Sequence, residues 1–138
     1  MKHSLFLIGC TIALVIAGCN KPTDTFGKNE NTVIPFGKSA TFEDGKTNFE
    51  IEFLTLVEES RCPPNSICAW EGRAIIELKI DEDTKLELGN GNLLSGTQLR
   101  VPFQAYYDDF LITLVKVDYG ADANYGTAEK YSVEIIIE

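Results

Sequence analysis

The chain has 138 residues, with 21 acidic side chains against 12 basic ones and a formal net charge of −9. That balance argues against nucleic acid as a partner and against attraction to anionic lipid, because like charges repel. The only histidine is His3 and the only methionine is Met1, so imidazole-based catalysis has nothing to work with beyond the first few positions.

Lys2 and His3 make a short basic start, and Leu5 to Ala17 is an almost unbroken apolar run. The run is shorter than the roughly 20 residues that span a bilayer comfortably, and it has the layout of a secretory signal. It closes on Ile16-Ala17-Gly18-Cys19, which resembles the lipobox of bacterial lipoproteins. The resemblance implies a signal peptide over residues 1–18, a cut before Cys19 and lipid on the Cys19 sulfur. It also implies an amide-linked acyl chain on the new amino terminus. One chain anchors only marginally, so several are needed for a stable membrane attachment. Two alternatives stand beside this reading: Leu7-Ile8-Gly9-Cys10, which leaves too short an apolar run before it, and an ordinary secretory cleavage site. Aspartate after the lipid cysteine resembles an inner-membrane retention signal in some bacteria. Asn20 stands there instead, which favours the outer membrane of the bacterial envelope.

Removal of residues 1–18 leaves 120 residues, one domain's worth. Eleven basic side chains then face twenty-one acidic ones, and no histidine or methionine remains. Neither Ser-His-Asp chemistry nor a histidine zinc site is available, and no cofactor is expected. With Cys19 lipidated, only Cys62 and Cys68 are left, a pair whose expected fate in an exported protein is a disulfide.

Residues 19–31 read as the lipidated cysteine and a flexible tether, polar and containing Pro22 and Gly27. Residues 32–138 read as strands. Phe49, Ile51 and Phe53 alternate with Glu50 and Glu52, and Thr55 and Val57 extend that face. Trp70, Gly72, Ala74, Ile76, Leu78 and Ile80 form one face of the next strand, opposite Glu71, Arg73, Glu77 and Lys79. Period two with charge on one side describes a half-buried antiparallel strand. Thr84-Leu86-Leu88 alternates with Lys85 and Glu87, and Gly89-Asn90-Gly91-Asn92 is turn chemistry. Leu99-Val101-Phe103 reads as an edge strand, because Pro102 cannot donate to a ladder. Phe110 to Val117 is apolar on both faces and belongs in the middle of a sheet. Tyr131, Val133, Ile135 and Ile137 alternate through the last strand. No helical stripe follows the signal, so the expectation is all-β: an antiparallel, immunoglobulin-like β-sandwich of about seven to eight strands.

Arg61-Cys62-Pro63-Pro64-Asn65-Ser66-Ile67-Cys68-Ala69-Trp70-Glu71-Gly72 is the one distinctive internal segment. With Ser60 before it, it resembles a family of uncharacterised exported bacterial lipoprotein domains that carry S-R-C-P, four residues, then C-x-W-x-G. The acidic residue that usually precedes the serine is Glu59 here. The resemblance implies a β fold and no particular chemistry. Physically, two prolines stiffen the Cys62–Cys68 loop, and closing seven residues stabilises by about 2 kcal/mol on the chain-entropy account. The segment reads as a stapled corner over a core Trp70, with Gly72 making room beside its ring. A redox dithiol would use Cys-x-x-Cys at a helix start, and a copper site would need further soft ligands.

Three weaker constellations complete the reading. Asp118, Asp122, Asn124 and Glu129 partly follow the spacing of a calcium loop, but Gly120 and Ala123 break it. Asp81-Glu82-Asp83 and Asp108-Asp109 are carboxylate clusters of the kind a glycosidase-like hydrolase uses in pairs, although turns are expected at both. Tyr106, Tyr107, Tyr119 and Tyr125, with Asp108 and Asp109, are candidates for contact with a protein or glycan partner. The functional expectation is a lipid-anchored, non-catalytic domain that presents its loops to an envelope or extracellular partner. The alternatives are the carboxylate hydrolase and a calcium-stabilised structural module.

Overall fold

Two β-sheets packed face to face form the protein in the computed structural model, which describes residues 24–69, 72–90 and 101–138. The signal segment, Cys19, Trp70, Gly91, Asn92 and Leu99 lie outside the described residues. The strands are β1 (Asp24–Phe26), β2 (Asn31–Pro35), β3 (Ser39–Glu43), β4 (Asn48–Glu59), β5 (Ala74–Ile80), β6 (Thr84–Asn90), β7 (Gln104–Tyr107), β8 (Phe110–Asp118) and β9 (Ser132–Ile137). Two short 3-10 turns, Asp122–Asn124 and Ala128–Lys130, lie between β8 and β9.

One sheet has the order β1-β3-β4-β5-β6, the other β2-β9-β8-β7. All pairings are antiparallel except β1 on β3. The all-β sandwich expected from the sequence is therefore present. Its strand order is two meanders, β3 to β6 and β7 to β9, whereas the immunoglobulin order moves between sheets more often. Strands β1 and β2 flank one side of the sandwich. Strands β6 and β7 flank the other, where Gly89 of β6 donates to the Pro102 carbonyl (3.0 Å) and Leu114 of β8 to that of Phe103 (2.8 Å).

The core is made by the residues whose alternation announced it. Phe49, Ile51 and Phe53 of β4, Ala74, Ile76, Leu78 and Ile80 of β5, and Val133, Ile135 and Ile137 of β9 are all buried between the sheets. Strand β8 lies inside its sheet, between β9 and β7, but only its inward face is buried, with Val115 42% exposed.

Four details differ from the sequence expectation. The tether does not run to residue 31: Asp24–Phe26 pairs with Ala40–Phe42, and Phe26 is buried edge-on against Phe42. This three-residue strand is too short to show a period, which also explains part of the higher strand count. In β4 the register slips between Phe53 and Thr55 and again between Leu56 and Glu58. These irregularities turn the inward face over. Leu56, not Thr55 or Val57, packs against the core, and Val57 is exposed. The edge strand expected over Leu99-Val101-Phe103 begins instead at Gln104, past Pro102, which fits the missing amide donor. Gly89 and Asn90 belong to β6 rather than to a turn; Val101 packs over Gly89, where a side chain would crowd it.

Candidate functional site

The cysteine segment links the end of β4 to the end of β8. Glu59 closes β4, and Arg61, two residues on, folds its guanidinium back onto it. Arg61 Nε donates to Glu59 Oε1 at 2.8 Å, and Nη2 donates to Oε2. Arg61 Nη1 crosses between the sheets to the Val117 carbonyl at 2.7 Å. The same guanidinium lies 5.5 Å from the Tyr119 ring centroid, within the range of a cation–π attraction. Tyr119 stacks edge-on with Tyr125 (5.5 Å) and contacts Tyr131 (5.9 Å). The Tyr125 hydroxyl donates to the Arg61 carbonyl, and Gly126 N donates to the Tyr131 hydroxyl at 3.1 Å.

The electrostatics follow from this packing. Burial opposes the Arg61 charge, but the hydrogen bonds and Coulomb attraction of Glu59 outweigh it and hold its pKa above the ordinary arginine value. The Tyr131 phenol is pushed up, mainly by burial, with Glu59 adding to the effect. Burial also raises Tyr125. Beside this group, Arg73 holds the Glu58 carboxylate through its guanidinium (2.8 Å), and Ser60 Oγ donates to Glu58 at 2.8 Å. Glu58 is held below the usual carboxylate range by those two hydrogen bonds, the Arg73 one foremost.

The disulfide between Cys62 and Cys68 is present. Within its loop Ser66 N donates to the Pro63 carbonyl (3.2 Å), and Asn65 has φ +62°. Pro64 followed by a left-handed Asn suits the second and third positions of a type II turn. Gly72 is required by the backbone of the segment, while its place relative to the Trp70 ring lies outside the described residues. Its φ is +68°, and a Cβ there would lie 2.6 Å from Arg61 N and closer still to the Ser60 carbonyl. The chain returns directly under Ser60, whose N donates to the Arg73 carbonyl at 2.8 Å. Only a residue without a side chain fits that approach.

The six sequence-predicted contact residues fall into two groups at opposite ends of β8. Tyr119 and Tyr125 sit in the Arg61 cluster, half-buried and engaged with each other. Tyr106, Tyr107, Asp108 and Asp109 form the β7–β8 hairpin, where Tyr107 pairs with Phe110 across a two-residue turn. Asp108 takes φ +49° there, a conformation aspartate tolerates better than most residues. Tyr107 is half-buried, with its ring 5.0 Å from Phe49 and its hydroxyl donating to Asp81 Oδ2 at 3.0 Å. That contact with Asp81 raises its pKa. Tyr106 points the other way and is 71% exposed, close to Phe103 in sequence, itself 57% exposed.

Asp108 and Asp109 do not converge with Asp118 and Asp122. Asp108 and Asp109 precede β8 and Asp118 ends it, so about 30 Å of strand separates the two groups at ~3.3 Å per residue. A carboxylate pair for glycoside hydrolysis lies roughly 5–10 Å apart. Asp81 sits in the β5–β6 turn with φ +50°, and its Oδ1 accepts from Glu50 N at 3.1 Å. In the calcium-like stretch, Asp118 is bound to Lys116 and accepts from Gly120 N (2.8 Å), while Asp122 accepts from Asn65 (3.4 Å). Among the described residues no three Asp, Glu, His or Cys side chains gather where they would hold a metal ion.

The missed feature is Arg61. Its signal was the alternation of opposite charges at Glu59 and Arg61, beside a cysteine in a segment rich in turn formers; no periodicity reports on a side chain folding back onto its own strand. Comparison of the chain with protein-family models, with curated proteins and with solved structures gives no match.

Proposed function

We propose that this chain is a lipid-anchored, non-catalytic β-sandwich that presents its β7–β8 hairpin to a protein or glycan partner. Its place is the bacterial cell envelope, at the outer membrane rather than the inner one, or the space outside it. The lipobox-like Ile16-Ala17-Gly18-Cys19 supports the anchor. The S-R-C-P segment fits a structural role, because Arg61 and Ser60 join strand ends and the disulfide closes the loop between them.

The exposed Tyr106 carries the proposal. A tyrosine offers a large, stiff contact area with a polar tip, at low cost in side-chain entropy. Tyr106 sits on an edge strand with its ring in solvent, while Tyr107 beside it is committed to the core. The test is capture from envelope fractions and from glycan arrays by wild type and by Tyr106→Ala. The variant is expected to lose about tenfold or more in affinity, the scale of an interface anchor, with its melting temperature unchanged. Capture equal to wild type removes the hairpin from the binding surface.

A further inference from the structure

We propose that two copies of this chain pair through the outer face of the β2-β9-β8-β7 sheet, stacked sheet on sheet about a twofold axis that runs along the strands. The inference goes beyond the reading of Tyr106, which lies at a corner of this face rather than at its centre.

The two outer faces of the sandwich differ in chemistry. The five-stranded sheet turns Glu50, Glu52, Glu77, Lys79, Lys85 and Glu87 to solvent, with Lys85 bonded to Glu77 at 2.9 Å. Such a face is at home in water. The four-stranded sheet instead turns out Val33, 54% exposed, Val115, 42% exposed, and the half-buried Leu111, Thr113 and Ile136. Gln104 donates to Thr113 at 2.9 Å, so these two polar side chains satisfy each other. Among the described residues no third layer covers this face. A contiguous exposed apolar face marks a surface of interaction.

The register of the sheet identifies the occupant. Asn31, Ile136, Thr113 and Gln104 form one row across the strands, and Val33, Glu134 and Lys116 form a second. A twofold axis between β9 and β8, parallel to them, lays β9 of one copy over β8 of the other and β2 over β7. Lys116 of each copy then meets Glu134 of the other, giving two ion pairs related by symmetry. Lys116 also holds Asp118, and Glu134 accepts from Asn31 at 2.7 Å. An ammonium has three protons and a carboxylate two oxygens, so each keeps capacity for a bond across the interface. Val33 comes over the start of β7, where Phe103 is 57% exposed. Aligned stacking of two sheets is the packing already used inside the sandwich. A chain of net charge −9 repels its own copy elsewhere, but the central row of this face is uncharged. Four strands at ~4.8 Å and the six residues of β9 at ~3.3 Å give the face about 400 Å² in projection. That is roughly half the ~800 Å² per partner of a standard interface, so the dimer is a weak one, with Kd about 0.1 mM.

The experiment is analytical sedimentation of the chain from Asn20 to Glu138, which contains every strand described above. Wild type is expected in monomer–dimer equilibrium. Lys116→Glu and Glu134→Lys each set like charges together twice and should weaken pairing by about tenfold or more. Mixed in equal amounts, the two variants should pair with each other at least as tightly as wild type does with itself, because one then brings two acidic side chains and the other two basic ones. Damage to the fold cannot be repaired by mixing, so rescue in this form reports on the interface alone. Val33→Glu, at an exposed edge position, should weaken pairing to a similar degree. Wild type that stays monomeric up to ~1 mM overturns the dimer and leaves the Tyr106 reading to its own capture test. Variants that pair no better mixed than alone, or a Val33→Glu chain that pairs like wild type, overturn the assignment of this face.

Discussion

Consider the replacement of Arg61 by alanine. The side chain makes two hydrogen bonds to Glu59, one to the Val117 carbonyl and one cation–π contact with Tyr119. Its loss leaves Glu59, whose side chain is only 8% exposed, as a charge without its counter-ion. Breaking such a pair from one side costs about 3–5 kcal/mol, most of it from the stranded partner. The Arg61 side chain is one-fifth exposed, so solvent screening places the expected loss at the lower end, about 3 kcal/mol. For a domain of this size that lowers the melting temperature by roughly 10 °C. Removing both charges, in Glu59→Gln/Arg61→Met, leaves chiefly the Val117 carbonyl without its donor and should cost only about 1–2 kcal/mol. Urea unfolding of the mature chain, followed by circular dichroism, measures both variants against wild type. The reasoning fails if Arg61→Ala costs less than about 1 kcal/mol, or if the double variant is no more stable than the single one.

Three further outcomes follow from the same end of the molecule. Gly72→Ala puts a Cβ against the Ser60 carbonyl in a left-handed conformation; it should destabilise by more than ~2 kcal/mol, whereas Gly126→Ala, also left-handed but in open space, should cost about 1 kcal/mol, as differential unfolding curves will show. Glu58 and Asp118 are held below their ordinary values by Arg73 and Lys116, so the stability they contribute is present above their unfolded pKa and is lost as pH falls through the lowered values; thermal melts should be flat from pH 8 to 6 and decline below about pH 4. At the alkaline side Tyr125 and Tyr131 are raised by burial, so the unfolded chain ionises first and stability should drop above about pH 10.

Much of the fold was legible because its long strands bury one face or two. The alternation in β9 marked a half-buried strand, and the apolar run of β8 marked an inner one, without any contact being known. The reading broke where local pattern and tertiary structure part company. Thr55 and Val57 keep the period of β4, yet the irregularities at Phe53/Thr55 and Leu56/Glu58 rotate them outward. Asp24–Phe26 shows no period at all and becomes a strand only because β3 offers a partner. The tyrosines expose the same gap at the candidate site. All four sit in or beside loops, and composition cannot distinguish Tyr119, packed under Arg61, from Tyr106, in open solvent. Likewise the acidic pairs that suggested catalysis occupy turns, where Asp81 and Asp108 supply left-handed backbone.

Strand β2 pairs with β9 from Asn31 opposite Ile136 to Pro35 opposite Ser132. The second strand of the chain is thus completed by the last. A polypeptide that emerges amino end first carries β2 with Ile34 uncovered until Ser132–Ile137 have followed, and its second sheet cannot close before they arrive. Loss of Ser132–Ile137 would therefore undo structure about a hundred residues away in sequence, and a chain stalled before that segment has emerged keeps β2 open to chaperones and proteases.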